Sequence, residues 1–196
     1  MKKINNILIF IISLISICFF IKDLNLNYYN RLLPDLSIIL VLLLPKILRK
    51  IFNLKITPML ELIYIIFMFL AHFLGSIVNL YNITWWYDLF AHFTSGLLTG
   101  VLALIILKWL GMYNDKNKLF NIIFIIAFAL MVASLWEFCE YVVDKFTTMN
   151  VQHNIETGVN DTMEDMLIAF LGSMVVSIKY VFEKSKGIIK KIVSSS

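Results

Sequence analysis

Seven carboxylates and two histidines carry the chemistry in this chain: His72, Asp88, His92, Glu137, Glu140, Asp144, Asp161, Glu164 and Asp165. Asp88 and His92 are four residues apart and share a helix face, as do Glu137, Glu140 and Asp144 at steps of three and four. Asp161 and Asp165 repeat the four-residue step. Below each acidic set the stripe continues in small residues. Gly96 and Gly100 follow His92, Ala133 precedes Glu137, and Ala169 and Gly172 follow Asp165. Small residues let membrane helices approach closely, so these faces are expected to pack together. Carboxylates crowded into a low-dielectric pocket cannot all ionise without compensation, and Lys145 is the one basic residue near them. A divalent cation, shared protons or a cationic ligand would each supply it. Oxygen donors with one or two imidazoles suit Mg²⁺, Mn²⁺, Ca²⁺ or Zn²⁺. The candidate metal ligands are His92, Glu137, Asp165, His72 and Asp161. A cation there would activate water or polarise a phosphoryl or carbonyl oxygen. Glu140 is the candidate general base, with Glu137 and Asp88 as further catalytic candidates.

The elements that must position these groups are membrane helices. The 196 residues are 60% hydrophobic and 15% charged, which excludes an ordinary soluble domain. A spanning helix needs about 20 mostly apolar residues. Six stretches qualify, at 4–21, 32–48, 58–80, 87–110, 119–144 and 161–182, the second bracketed by Pro34 and Pro45. The fold class expected is an all-α polytopic bundle forming a single transmembrane domain over 1–196. Fourteen of the 17 basic residues fall in the N-terminus, the 45–57 and 108–118 loops and the tail, which include Lys184 and Lys186. By the positive-inside rule both termini are cytoplasmic in a plasma or inner membrane, and the acidic cluster faces outward. The basic balance thus reports topology and contact with anionic lipid, and nucleic acid is not an expected partner. The first segment reads as a retained signal-anchor, with no small-residue cleavage site. Cys18 and Cys139 lie in separate apolar stretches and imply no disulfide framework.

Helix rise places the acids in depth. At about 1.5 Å per residue, His92 lies roughly 10 Å inside the aromatic belt at Trp85–Trp86–Tyr87, and His72 about 12 Å below Leu80. One polar layer is expected to hold His72, His92, Glu137, Glu140 and Asp165, with Asp88, Asp144 and Asp161 forming a mouth above it. Plainer roles compete. Asp88 and Asp161 sit where helix N-termini favour acids, and Glu164 suits a capping position. His153 reads as a solvated loop histidine. Glu61, after Thr57-Pro58, reads as a capping acid. The first two helices are expected to carry no interior charge except Asp35.

Three segments carry a resemblance: Trp86-Tyr87-Asp88-Leu89-Phe90-Ala91-His92-Phe93, Trp136-Glu137-Phe138-Cys139-Glu140-Tyr141 and Asp161-Thr162-Met163-Glu164-Asp165-Met166. Together they resemble the YjdF-like bacterial inner-membrane proteins. The Asp-x-x-x-His helix start is more distantly similar to VanZ-like proteins, associated with glycopeptide resistance and the cell envelope. The resemblance covers about 58–180. Leu89 stands where members carry a basic residue, and Gly158-Val159-Asn160 replaces an expected Gln-Gly-Asp. It implies a multi-spanning envelope protein and supports the location of the site. It implies no reaction.

Three functions follow as expectations. The first is a metal-dependent enzyme acting on an envelope lipid, a lipid headgroup or a small molecule. H-E-x-x-H, G-x-S-x-G and a phosphatase-type Lys/Arg set are absent, so no known hydrolase signature supports it. The second is a cation- or proton-coupled transporter, since acid and histidine chains serve proton relays. The third is a non-catalytic envelope ligand-binding or resistance protein. Oligomeric state is not legible.

Overall fold

The computed structural model describes residues 1–147, 150–152, 157–183 and 187–195. His153, Lys184 and Lys186 lie outside the described residues. Among the described residues every regular element is helical. Helix α1 (Lys2–Asn25) is followed by a 3-10 turn, Tyr29–Arg31, and α2 (Leu32–Phe52). Helix α3 (Pro58–Met68) runs on into a π-helical segment, Phe69–Ile77. A short α4 (Leu80–Ile83) precedes α5 (Tyr87–Trp109), α6 (Lys118–Phe146), α7 (Asn160–Phe182) and α8 (Ile188–Ser195).

Five helical stretches are long and apolar enough to cross a membrane: α1, Pro58–Ile77, α5, α6 and α7. Helix α2 is 21 residues long but carries Asp35, Lys46, Arg49 and Lys50, a charge load that sets it apart from the five. It continues through Pro45, and Asn53 ends it in the left-handed conformation. Thr57 caps α3 by accepting from the Leu60 N–H, with Pro58 at the first helical position, where its missing N–H costs nothing. Glu61, expected as a capping acid, is buried and pairs with Arg49 at 3.1 Å. In the π-helical segment the Val78 N–H reaches back five residues to the Phe73 carbonyl at 2.9 Å. Asn79 then turns the chain in a left-handed conformation.

The chain divides into two compact units, Met1–Asp88 and Leu89–Ser196. In the first, Ile9, Ile12, Ile38, Leu42, Ile65, Phe73 and Ile77 form a buried apolar core. Phe73 meets Phe19 edge-on and stacks on Phe69. This core is not purely apolar. Asn5, Ser16 and Asp23 of α1 and Asp35 of α2 are fully buried. The expectation of no interior charge besides Asp35 is thereby corrected: Asp23 is interior too, and Arg31 reaches it at 3.1 Å.

In the second unit, small residues bring helices into backbone contact. A Cβ added to Gly96 would strike the Ala169 carbonyl, and one added to Gly172 would strike the Phe93 carbonyl. Gly100 faces Val176 of α7 and Ile125 of α6. At the α6 N-terminus, Asn121 donates to the Tyr180 hydroxyl at 2.7 Å and to the Asn114 carbonyl at 3.0 Å. Tyr180 donates in turn to Asp115, which also accepts from Tyr113 at 2.7 Å. Burial first, then the hydrogen bond to Asp115, pushes the Tyr113 phenol above its ordinary range.

Candidate functional site

Helix α5 opens on Tyr87, the last residue of the aromatic run Trp85–Trp86–Tyr87. The division between the two units falls in its first turn, so Asp88 and His92 sit one turn apart on one continuous helix. Tyr87 anchors that turn by donating to the Leu70 carbonyl at 2.8 Å. His92 is buried, and the same face continues one turn on to Gly96. Gly96 lies against Ala169 of α7, and Asp165 precedes Ala169 by one turn. The backbone contact at Gly96 and Ala169 therefore sets the separation of His92 and Asp165.

His92 Nε2 stands 3.6 Å from Asp165 Oδ2, and both side chains are buried. That separation is beyond a hydrogen bond. It matches two ligands about 2.1 Å from a shared ion at an angle near 120°. Asp88, half-buried, completes the group: one ligand atom from each of Asp88, His92 and Asp165 lies within 4.8 Å of the others. Two carboxylates and one imidazole form an oxygen-rich set suited to Mg²⁺, Mn²⁺ or Zn²⁺. The set offers two negative charges in a buried setting, so a divalent cation fits it in charge as well as spacing.

The remaining candidates are placed differently. Glu137 is buried on α6, one turn beyond buried Ala133. Glu140, half-buried, accepts from Trp136 Nε1 at 2.7 Å. Asp144 accepts the backbone N–H groups of Val151 and Gln152 at 2.7 and 3.0 Å, which makes it a loop anchor. Gln152 reaches the Glu137 carbonyl at 3.3 Å and the Thr162 hydroxyl at 3.4 Å, tying α6 to the start of α7. Asp161 is half-buried in the first turn of α7, and Glu164 is exposed. His72 belongs to a separate set of contacts in the first unit. Its Nε2 lies 3.0 Å from the Ser37 hydroxyl and 3.1 Å from the Pro34 carbonyl. Among the described residues, Glu137, Glu140 and Asp161 do not join the Asp88–His92–Asp165 group. Gln152 is the positioning residue that the sequence did not single out. Loop glutamines carry no periodic signal.

The chain belongs to the DUF2238 family, described as a predicted membrane protein, whose model matches residues 4–185. No curated protein and no solved structure matches the chain.

Proposed function

We propose that the protein is a metal-dependent membrane protein of the cell envelope, in which Asp88, His92 and Asp165 hold one divalent cation that acts on a lipid headgroup or lipid-linked molecule. The observation that supports this reading is the convergence of three donors from two helices within single-ion distance. Three protein ligands leave coordination positions open for water and for a substrate oxygen, the arrangement typical of catalytic rather than structural sites. The cation would supply Lewis acidity and lower the pKa of bound water. The protein residues then divide the remaining work. His92 binds through a neutral imidazole nitrogen, and the two aspartates offset the charge of the ion. Glu137 and Glu140 on α6 are the proposed proton acceptors, and Asp161 lines the approach. His72, held by Ser37 and Pro34, is left out of the ligand set.

The topology completes the proposal. Helix α2 counts as a sixth crossing, its charges gathered toward its ends, and the basic loops put both termini in the cytoplasm of the inner or plasma membrane. The centre then faces outward, where headgroups of the outer leaflet reach it. This is also where a protein similar to YjdF-like or VanZ-like envelope proteins would act. The test is to load detergent-purified protein with Mn²⁺ or Zn²⁺ and supply phospholipid and lipid-linked headgroup substrates. Metal-dependent headgroup release that disappears in Asp165→Asn and Glu137→Gln supports the reading. Tight metal binding with no turnover of any headgroup limits the centre to a binding or structural role.

A further inference from the structure

The first unit holds a buried acid that the metal reading leaves unused. Asp35 lies in the first turn of α2 and is fully buried. Neither of its carboxyl oxygens has a hydrogen-bond partner. The polar groups around it are engaged elsewhere. Ser16 of α1, also fully buried, donates to the backbone carbonyl of Asp35 and not to its carboxyl group. Asp23, fully buried near the end of α1, takes Arg31 Nε at 3.1 Å. Arg31 also donates to the Ile77 carbonyl, the last of the π-helical segment. Lys22 is exposed and sits 3.9 Å from Asp23. His72 is directed to the Ser37 hydroxyl and the Pro34 carbonyl.

The charge balance around Asp35 is therefore definite. Helix α1 presents Asp23 and Lys22, the 3-10 turn presents Arg31, and Asp23, Arg31 and Lys22 all lie within electrostatic range of Asp35. The π-helical segment adds His72 on the carbonyl next door. Two buried acids share one guanidinium that is already spent on Asp23. An ionised carboxylate buried without a donor sheds its charge before it tolerates the desolvation. A multivalent metal is a poor fit, because no third His, Cys, Asp or Glu donor joins Asp23 and Asp35 among the described residues.

We infer that Asp35 is a reversible proton-binding site, held as a neutral carboxylic acid beside a fixed Asp23–Arg31 ion pair. The step balances simply: one proton from water is carried on one carboxyl oxygen and returned to water on release. Release leaves a second buried charge beside Asp23 and makes the two acids compete for Arg31. Arg31 then loosens its hold on the Ile77 carbonyl, so the proton count at Asp35 is coupled to the end of the π-helical segment. This site lies in residues 1–88 and does not depend on the cation at Asp88, His92 and Asp165.

The experiment is infrared difference spectroscopy on the full chain in lipid vesicles, titrated in pH. The expected result is a protonated-carboxyl carbonyl band in mildly acidic solution that disappears as the pH is raised past neutral, is missing in Asp35→Asn and persists in Asp23→Asn and Asp165→Asn. A second readout is thermal stability. In mildly acidic solution the folded chain holds a proton that the unfolded chain has released, so wild-type stability falls as pH rises through that range towards neutral. Asparagine imitates the neutral acid, so Asp35→Asn folds and loses that component of the pH dependence. A band that survives in Asp35→Asn, a band absent from wild type in mildly acidic solution, or a variant that does not fold overturns the inference. So does removal of the band in mildly acidic solution by Na⁺ or K⁺, which makes a monovalent cation the occupant.

Discussion

Replacing Gly96 by alanine tests how the small-residue crossing governs the metal centre. The added Cβ would lie 3.0 Å from the Ala169 Cα and closer still to its carbonyl. Carbon atoms pack at about 3.5–4.0 Å, and the carbonyl oxygen is the nearer obstacle, so α5 and α7 must separate by more than about 1 Å at this level. His92 and Asp165 lie one turn away on the same two faces, and most of that displacement reaches them. Metal sites tolerate about 0.2 Å in ligand distance. The expected loss is at least about tenfold in affinity for Mn²⁺ or Zn²⁺, in the range seen when groups supporting ligands are changed. Overpacking adds about 1–3 kcal/mol of destabilisation, short of unfolding a sound helical bundle. The assay is calorimetric metal titration in detergent, with helicity and thermal midpoint recorded for each variant. Gly100→Ala is the control: its Cβ meets the Val176 side chain at 3.1–3.2 Å, two turns from His92, where a side chain can give way. Folded Gly96→Ala that binds metal as tightly as wild type would refute the claim that this crossing fixes the ligand spacing.

Other expected outcomes follow from single contacts. Arg49→Met leaves Glu61 buried and unpaired on that side; after discounting for the partial exposure of Arg49, thermal denaturation should show a loss of about 1–3 kcal/mol, largely recovered in Arg49→Met/Glu61→Gln. Tyr180→Phe removes a hydroxyl that joins Asn121 and Asp115 and should cost about 1–3 kcal/mol by the same measurement. Because folding holds the Tyr113 phenol above its ordinary value of 10.0, stability should fall as pH rises above that value, and Tyr113→Phe should flatten the decline. Metal binding should weaken in strongly acidic solution, where protons compete with the ion for the imidazole and carboxylate donors, and should return when the pH is restored.

Much of this organisation is legible in the sequence because helical periodicity is a strong signal. The i, i+4 steps of Asp88, His92, Gly96 and Gly100 foretell a single packed face, and Ala169 and Gly172 foretell its partner on α7. All three residues of the Asp88–His92–Asp165 group are visible as ionisable residues in apolar helices. Their selection from a longer set is not. Glu137, Asp161 and His72 satisfy the same pattern, and helix rise alone cannot tell which faces meet. His72 lies in the π-helical segment from Phe69, which changes the angular step, and its contacts there are with Ser37 and Pro34. Asp23 was hidden for a different reason. It stands beside Lys22 near a helix end, which reads as solvated. The burial of Asn5, Ile9, Ile12 and Ser16 at steps of four, three and four, with Asp23 seven further on, is a stripe that the strong hydropathy of α1 conceals. Charge likewise separates α2 from the five candidate spans, since Asp35, Lys46, Arg49 and Lys50 dilute an otherwise apolar helix.

The central claim is that Asp88, His92 and Asp165 form one cation site, and metal content measured by mass spectrometry tests it most directly. Purified wild-type protein is dialysed against Mg²⁺, Mn²⁺ and Zn²⁺ and compared with His92→Ala and Asp165→Asn, folding being checked in each. The account predicts close to one divalent ion per wild-type chain, lost in both variants while they stay folded. Metal-free wild type after loading, or variants that retain the ion in full, would contradict it.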